Sequence, residues 1–239
     1  MKLDILACGV HPDDVELSCG GTLLKHIDLG YKVGICDLTR GELGSRGSAE
    51  LRLKEAEAAK NILGALIREN LGMADGFFIH SEENIKLIAT CIRRYKPEIV
   101  FANAPSDRHP DHGRASKLVS DACFYSGLQK IEISDGNGGY LSPWRPKAVY
   151  HYIQDRNLKP DFVVDISPYV DKKFEAIMAF SSQFYNPDSE EPSTPISSKE
   201  FIEFMKTKNR FFGRDINVAF AEGFITERTL GVENVLHLI

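Results

Sequence analysis

The sequence predicts an α/β protein: a Rossmann-like, mainly parallel sheet with helices on both faces and an irregular C-terminal part. Three observations predict it. Apolar runs of strand length alternate with stretches of helical periodicity through the first half of the chain. The first run, Leu3–Val10, is apolar without a break from Ile5 onward instead of alternating, as a parallel strand buried on both faces must be. The 239 residues, 43% hydrophobic and 26% charged, suit one large domain, and no linker or internal repeat divides them. The expected domain therefore spans residues 1–239.

The elements follow in order. After the Leu3–Val10 strand, Val15–Leu29 reads as a helix stopped by Gly30, with Gly20 and Gly21 inside it where they permit close packing. Lys32–Thr39 is a second strand, followed by the Gly-rich loop "RGELGSRGS". Ala49–Leu63 carries Leu53, Ala56, Ala59 and Leu63 on one helical face, and Gly64 ends it. "ALIRENLG" is a short strand. Glu82–Tyr95 places Ile85, Ile88, Ala89 and Ile92 at helical spacing behind Ser81 as N-cap, and Pro97 stops it. "EIVFANA" is another buried strand, leading into a second unusual loop, "PSDRHPDHG", and a helix to about Ser126. Beyond Gly127 the pattern weakens. "AVYHYI" and "FVVDI" read as strands and Pro168–Phe184 as a helix. Residues 185–198, "YNPDSEEPSTPISS", read as a mobile surface loop or lid. Lys199–Gly213 is a final helix and "VAFAEGFIT" a last strand.

Composition excludes some partners. A net charge of -5 argues against nucleic acid, and no apolar stretch is long enough to span a bilayer. The N-terminus reads as a first strand and not as a leader. The five cysteines form no C-x-x-C pair. They read as reduced, buried thiols of a cytoplasmic protein, in preference to Cys8 or Cys19 serving as metal ligand or nucleophile.

The chemistry gathers at two strand ends. In an open α/β sheet ligands bind beyond the carboxyl ends of the strands where strand order reverses, and the first and fourth strands commonly flank that point. Here those strands run into "HPDD" and "DRHPDH". This topology brings His11, Asp13, Asp14, His109, Asp111 and His112 into one crevice. Adjacent carboxylates cost stability unless something positive lies against them. Imidazole and carboxylate together suit a divalent cation: Zn2+, with Fe2+, Co2+ and Mn2+ as alternatives. Three protein ligands with an open position make a site of catalytic type, where bound water has a pKa of about 7. One aspartate would bind the metal and the other handle a proton beside it. Either loop alone reads as a capped turn; their joint occurrence is what points to a metal. The remaining histidines lack this context. A nucleotide cofactor is disfavoured, because the first β–α turn has no G-x-G-x-x-G and carries carboxylates where a pyrophosphate would sit.

Two rival classes stay open on the residues alone. His11-x-Asp13 with a distant histidine also fits the 2-His-1-carboxylate site of non-haem iron oxygenases, and the choice of Asp13 or Asp14 as ligand discriminates. A non-catalytic sugar-binding or metal-binding protein would not need Asp13 and His109 beside the metal.

The "HPDD-x-E" of His11–Glu16 and the "HPDH" of His109–His112 resemble the PIG-L/LmbE-like zinc-dependent N-acetylglucosaminyl deacetylases. The resemblance extends to "CDLTRGELGSRG", "YKPEIVFANAPSDRHPDH" and "SSQF". Within the family it is greatest to the bacillithiol-biosynthesis deacetylase, which acts on N-acetylglucosaminyl malate. The resemblance implies that His11, Asp14 and His112 are the zinc ligands and Asp13 the general base. It implies that a protonated His109 stabilises the oxyanion or protonates the amine, with Asp111 orienting it. It also implies an acetylated amino-sugar conjugate as substrate and a homo-oligomer, a hexamer built from trimers.

Arg40, Arg46 and Arg108 lie in the loops expected to rim the crevice. Arg108 directly precedes His109. Arg52 starts the helix after the Gly-rich loop, at a position that faces substrate in the deacetylases the chain resembles. Arginine grips carboxylates bidentately, so Arg52 and Arg108 are the expected readers of an anionic aglycone such as malate.

Overall fold

The computed structural model describes residues 1–238. Its strands are β1 (Ile5–Gly9), β2 (Val33–Thr39), β3 (Ile67–Met73), β4 (Ile99–Ala102), β5 (Ala148–Tyr152), β6 (Phe162–Asp165) and β7 (Ala221–Thr226). The helices are α1 (Asp14–Asp28), α2 (Ala49–Leu63), α3 (Glu82–Tyr95), α4 (Pro110–Tyr125), α5 (Val170–Met178) and α6 (Lys199–Asp215). All seven strands join one sheet in the order β3-β2-β1-β4-β5-β7-β6. The first five run parallel, and β7 pairs antiparallel with both β5 and β6. The Rossmann-like, mainly parallel sheet is therefore present, and its irregularity lies where expected, in the C-terminal part.

Strand β1 shows why the sheet is buried on both sides. Leu6, Cys8 and Val10 enter a core with Ile88 and Ile92 of α3 and Leu118, Val119 and Ala122 of α4. Ile5 and Ala7 enter the opposite core with Val15, Cys19 and Leu23 of α1 and Leu63 of α2. Alternate side chains of a strand point to opposite faces, so helices on both faces demand an apolar residue at nearly every position. Each fully buried aliphatic side chain of this kind contributes roughly 1.5–3 kcal/mol. All five cysteines are buried and unpaired. Gly21 sits where a Cβ would come within 2.8 Å of Ile166, so α1 packs this closely only with glycine there. Gly20 has ordinary room.

The helix expected over Pro168–Phe184 is shorter. A 3-10 turn, Ser167–Tyr169, leads into α5, which stops at Met178. The chain leaves the helix because Glu55 of α2 captures it: the Ser181 hydroxyl, the Ser182 N–H and the Ser182 hydroxyl all donate to that carboxylate. The last strand starts at Ala221 and not at Val218. The 185–198 loop is tied to the Gly-rich loop, with Arg46 donating to the Ser189 hydroxyl and the Gly47 N–H to Glu191. No helix among the described residues is long and apolar enough to cross a membrane.

Candidate metal centre

The sheet order makes β1 and β4 neighbours and sends the chain away from them in opposite directions. Their carboxyl ends are the switch point. His11 lies between β1 and α1, Asp13 is the N-cap of α1, and Asp14 opens that helix. His109 caps α4 with Pro110 at its first turn, and His112 follows on the same turn. The three imidazoles converge, with ring centroids 4.7 Å apart for His11 and His109, 5.3 Å for His109 and His112, and 5.7 Å for His11 and His112. They line a crevice of ≈ 390 Å³, whose other walls include Arg52, Arg108, Ile196, Phe201 and Met205.

Asp14 lies between two of the imidazoles. Its Oδ2 is 3.7 Å from His11 Nδ1 and its Oδ1 is 3.3 Å from His112 Nε2. The carboxylate is held by the N–H groups of Val10 and His11, by Asn103 Nδ2, and by Gln154 Nε2 at 2.8 Å. The second nitrogen of each imidazole meets a carboxylate: His11 Nε2 lies 3.0 Å from Asp75 Oδ1, and His112 Nδ1 lies 2.7 Å from Asp107 Oδ2. Each aspartate thus takes a ring N–H, and the other nitrogen of each ring, turned toward Asp14, is the one that can ligate a cation by giving up its proton.

This donor set fits a divalent cation held by His11, Asp14 and His112. Metal-binding histidines characteristically give their second N–H to a carboxylate. The charge balance points the same way. Burial opposes the ionised form of Asp14, but His112 and His11 hold its carboxyl well below the usual range. Burial also opposes a charged His112, yet Asp14 and Asp107 push its pKa up to about 10. The cluster calls for positive charge at the point where His112 Nε2 and Asp14 meet. Two other sets have donor atoms all within 4.8 Å of one another: His11, His109 and His112, and His11, Asp75 and Asp111.

Asp13 is turned elsewhere. Its backbone has φ 139, a left-handed conformation costly for a residue with a Cβ. The side chain is buried and receives Arg52 Nη2 at 2.8 Å. Burial raises the Asp13 pKa to about 6, with the Arg52 charge opposing that rise. Asp13 and Asp14 therefore occupy distinct environments, one on a guanidinium and one between imidazoles.

Asp111 meets His109 through its backbone. Its carboxylate does not reach His109; it accepts from the Gly76 N–H and from Arg114. What His109 receives is the backbone N–H of Asp111, which donates to His109 Nδ1 at 3.3 Å. His109 itself is partly buried. Burial first, then the charges of His11 and His112, lower its pKa below the ordinary histidine value. With Nδ1 accepting, the ring proton of the neutral form sits on Nε2.

Of the arginines, Arg52 is buried and also donates to the carbonyls of Gly41 and Pro12, while its Nε has no partner. Arg108 is exposed and ion-pairs with Asp155 at 2.9 Å. Arg46 is buried against Ser182 and Ser189. The sequence reading missed Asp75, Asp107, Asn103 and Gln154. Asp107 stood inside the quoted "DRHPDH" and carried a signal, being five residues before His112. Asn103 also stood inside the quoted "YKPEIVFANAPSDRHPDH", directly after β4, whereas Asp75 and Gln154 come from the loops after β3 and β5.

Residues 6–123 match the PIG-L family, described as GlcNAc-PI de-N-acetylase. Over 230 residues the chain is 31% identical to a diacetylchitobiose deacetylase of Thermococcus kodakarensis, covering 92% of this chain and 81% of that protein. It is 27% identical over 188 residues to a probable N-acetyl-alpha-D-glucosaminyl L-malate deacetylase 2 of Bacillus anthracis, covering 73% of this chain and 78% of that one. The crystal structure of a conserved protein of Thermus thermophilus is 37% identical and superposes with a TM-score of 0.85, covering 97% of this chain and 98% of its own.

Proposed function

This chain belongs to the PIG-L family, and from that premise we propose that it hydrolyses the N-acetyl group of an N-acetylglucosaminide at a divalent metal held by His11, Asp14 and His112. The observation that carries this reading is the pair of carboxylate–imidazole contacts, Asp75 to His11 and Asp107 to His112, which turn the other nitrogen of each ring toward Asp14. A divalent ion such as zinc, held by those three residues, would supply water activated near neutral pH and an electrophile for the acetyl carbonyl.

The protein's own groups do the rest. Asp13, fixed by Arg52, accepts the proton of the attacking water. A carboxyl with a pKa of about 6 is ionised at neutral pH yet basic enough to take that proton. His109 Nε2–H donates to the oxygen that gains charge as the carbonyl becomes tetrahedral. The proton held on Asp13 then passes to the departing nitrogen, and the products are acetate and the free amine. Asp13 lies on Arg52, apart from the space between His11 and His112, and that division supports a base over the oxygenase-type ligand set that would use Asp13.

The finer reading, malate as aglycone, draws on the likeness to the malate deacetylase. It gains little from the arginines: Arg52 is committed to Asp13, and Arg108 would have to leave Asp155. The paired arginines and the apolar wall of Ile196, Phe201 and Met205 favour a neutral aglycone such as a second sugar. The test is the zinc-loaded protein assayed against N-acetylglucosamine, diacetylchitobiose and N-acetylglucosaminyl malate, following free amine. Turnover of one or more supports the reading. Zinc bound stoichiometrically with no amine released from any of them would refute it.

A further inference from the structure

Lys208 lies on α6, on the far side of the sequence from the metal-site loops, and is only 5% exposed. A buried ammonium is costly unless its hydrogens are taken up. Here they go to the carbonyl oxygens of three successive residues: Gln154, Asp155 at 2.6 Å and Arg156 at 3.1 Å. Three carbonyl dipoles pointing at one place repel each other, so this turn keeps its shape only with a cation at the focus.

The same three residues reach the metal centre. Gln154 Nε2 donates to Asp14 Oδ1 at 2.8 Å. The Arg156 N–H donates to Asp107 Oδ1 at 2.9 Å, and the Asp155 N–H approaches Asp107 Oδ2 at 3.4 Å. Asp107 in turn accepts from His112. Two of the three ligands named above are thus braced from one short turn, and Lys208 gathers the backbone of that turn.

We propose that Lys208 is a positioning residue for the metal centre: by binding the carbonyls of 154–156 it fixes the turn that holds Asp14 through Gln154 and His112 through Asp107. The proposal rests on reading His11, Asp14 and His112 as metal ligands. A merely structural lysine would cement α6 to the sheet without touching metal affinity. The protein contains a built-in comparison for that alternative. Arg93 is 2% exposed and likewise donates to a set of carbonyls, those of Ser126, Leu128, Ile131 and Leu141, in a loop away from the crevice.

The experiment measures zinc affinity by competition with a chromophoric chelator, alongside thermal stability, for the wild type, Lys208→Met, Lys208→Arg and Arg93→Met. Partners behind metal ligands typically change affinity by about 10–100-fold. The expected result is a loss of roughly tenfold or more in Lys208→Met, recovery of most of it in Lys208→Arg, and unchanged affinity in Arg93→Met despite its lower melting temperature. Should Lys208→Met not fold, Lys208→Gln, which keeps donors without the charge, is read in the same assay. Wild-type affinity in the folded uncharged variant overturns the proposal, as does an equal loss in Arg93→Met. A wild-type protein that binds no zinc removes the premise instead, and the same titration reports that separately.

Discussion

Replacing Asp107 by asparagine should detach the metal while leaving the fold intact. Asp107 is buried and accepts four approaches: His112 Nδ1 at 2.7 Å, the N–H groups of Arg108 at 2.8 Å and Arg156 at 2.9 Å, and that of Asp155 at 3.4 Å. An asparagine carbonyl on the side of Oδ1 still takes the Arg108 and Arg156 amides, so the loop geometry is kept. The amide NH2 then faces His112 Nδ1, donor against donor. The imidazole must move its proton to Nε2, the nitrogen beside Asp14, where a metal needs a lone pair. The hydrogen bond lost is one to a charged group, worth about 1.5–3 kcal/mol, which converts to roughly 10–150-fold in zinc affinity. Competition titration with a chelator reads this directly, and thermal melting checks the fold. Zinc affinity within about twofold of wild type in a folded Asp107→Asn protein would show that His112 is not oriented by Asp107, and the ligand assignment built on that contact would fall.

The remaining expectations use similar measurements. Asp13→Asn should keep zinc by elemental analysis and lose turnover by about a hundredfold or more; loss of metal in Asp13→Asn with retention in Asp14→Asn would transfer the ligand role to Asp13. His11→Ala should lose most bound metal and nearly all activity, and full zinc occupancy would remove it from the ligand set. Arg52→Ala should depress kcat alike on neutral and acidic substrates, because the guanidinium fixes Asp13. Arg108→Ala should leave KM for diacetylchitobiose within about threefold, and a rise confined to N-acetylglucosaminyl malate would restore that arginine as a reader of carboxylates. Gly21→Ala should cost about 1–3 kcal/mol through the contact with Ile166, lowering the melting temperature by several degrees; an unchanged melting curve would show that α1 shifts freely.

The parts of the molecule that were legible in the sequence share one property: their signals are local. The apolar run of β1 followed by "HPDD", and β4 followed by "DRHPDH", each state an element and a chemistry within a few residues, and parallel topology alone joins them. The end of α5 was not legible because Glu55, more than a hundred residues away, decides it. Asp75, Gln154 and Lys208 were hidden for the same reason. Lys208 sits in "KTKNR", which reads as the solvated face of an amphipathic helix until α6 is docked on the turn after β5. Arg52 lines the crevice as expected, and the structure adds a partner that the sequence did not show, the Asp13 carboxylate. A guanidinium beside a crevice serves a substrate carboxylate or a protein carboxylate equally well, and only the conformation of Asp13 decides between them. The contact between Asp111 and His109 was not legible in its detail: two residues apart at a helix start, the backbone N–H reaches the imidazole and the carboxylate points to Gly76.

The position of β1 also bears on how the chain is made. Strand β1 becomes an interior strand of the sheet, pairing with β2 on one side and with β4, from Ile99 onward, on the other. Translation proceeds at about 5–20 residues per second, so an apolar strand edge stays open for roughly 5–20 seconds between the emergence of β1 and that of its second neighbour. During that interval the nascent half-sheet exposes "ILACGV" as an adhesive border. Slower codons between β3 and β4 would lengthen the exposure, and overproduction at high temperature would raise the concentration of such borders. Yield of soluble protein should therefore respond to expression rate and to chaperones that shield extended segments more than to the stability of the finished molecule.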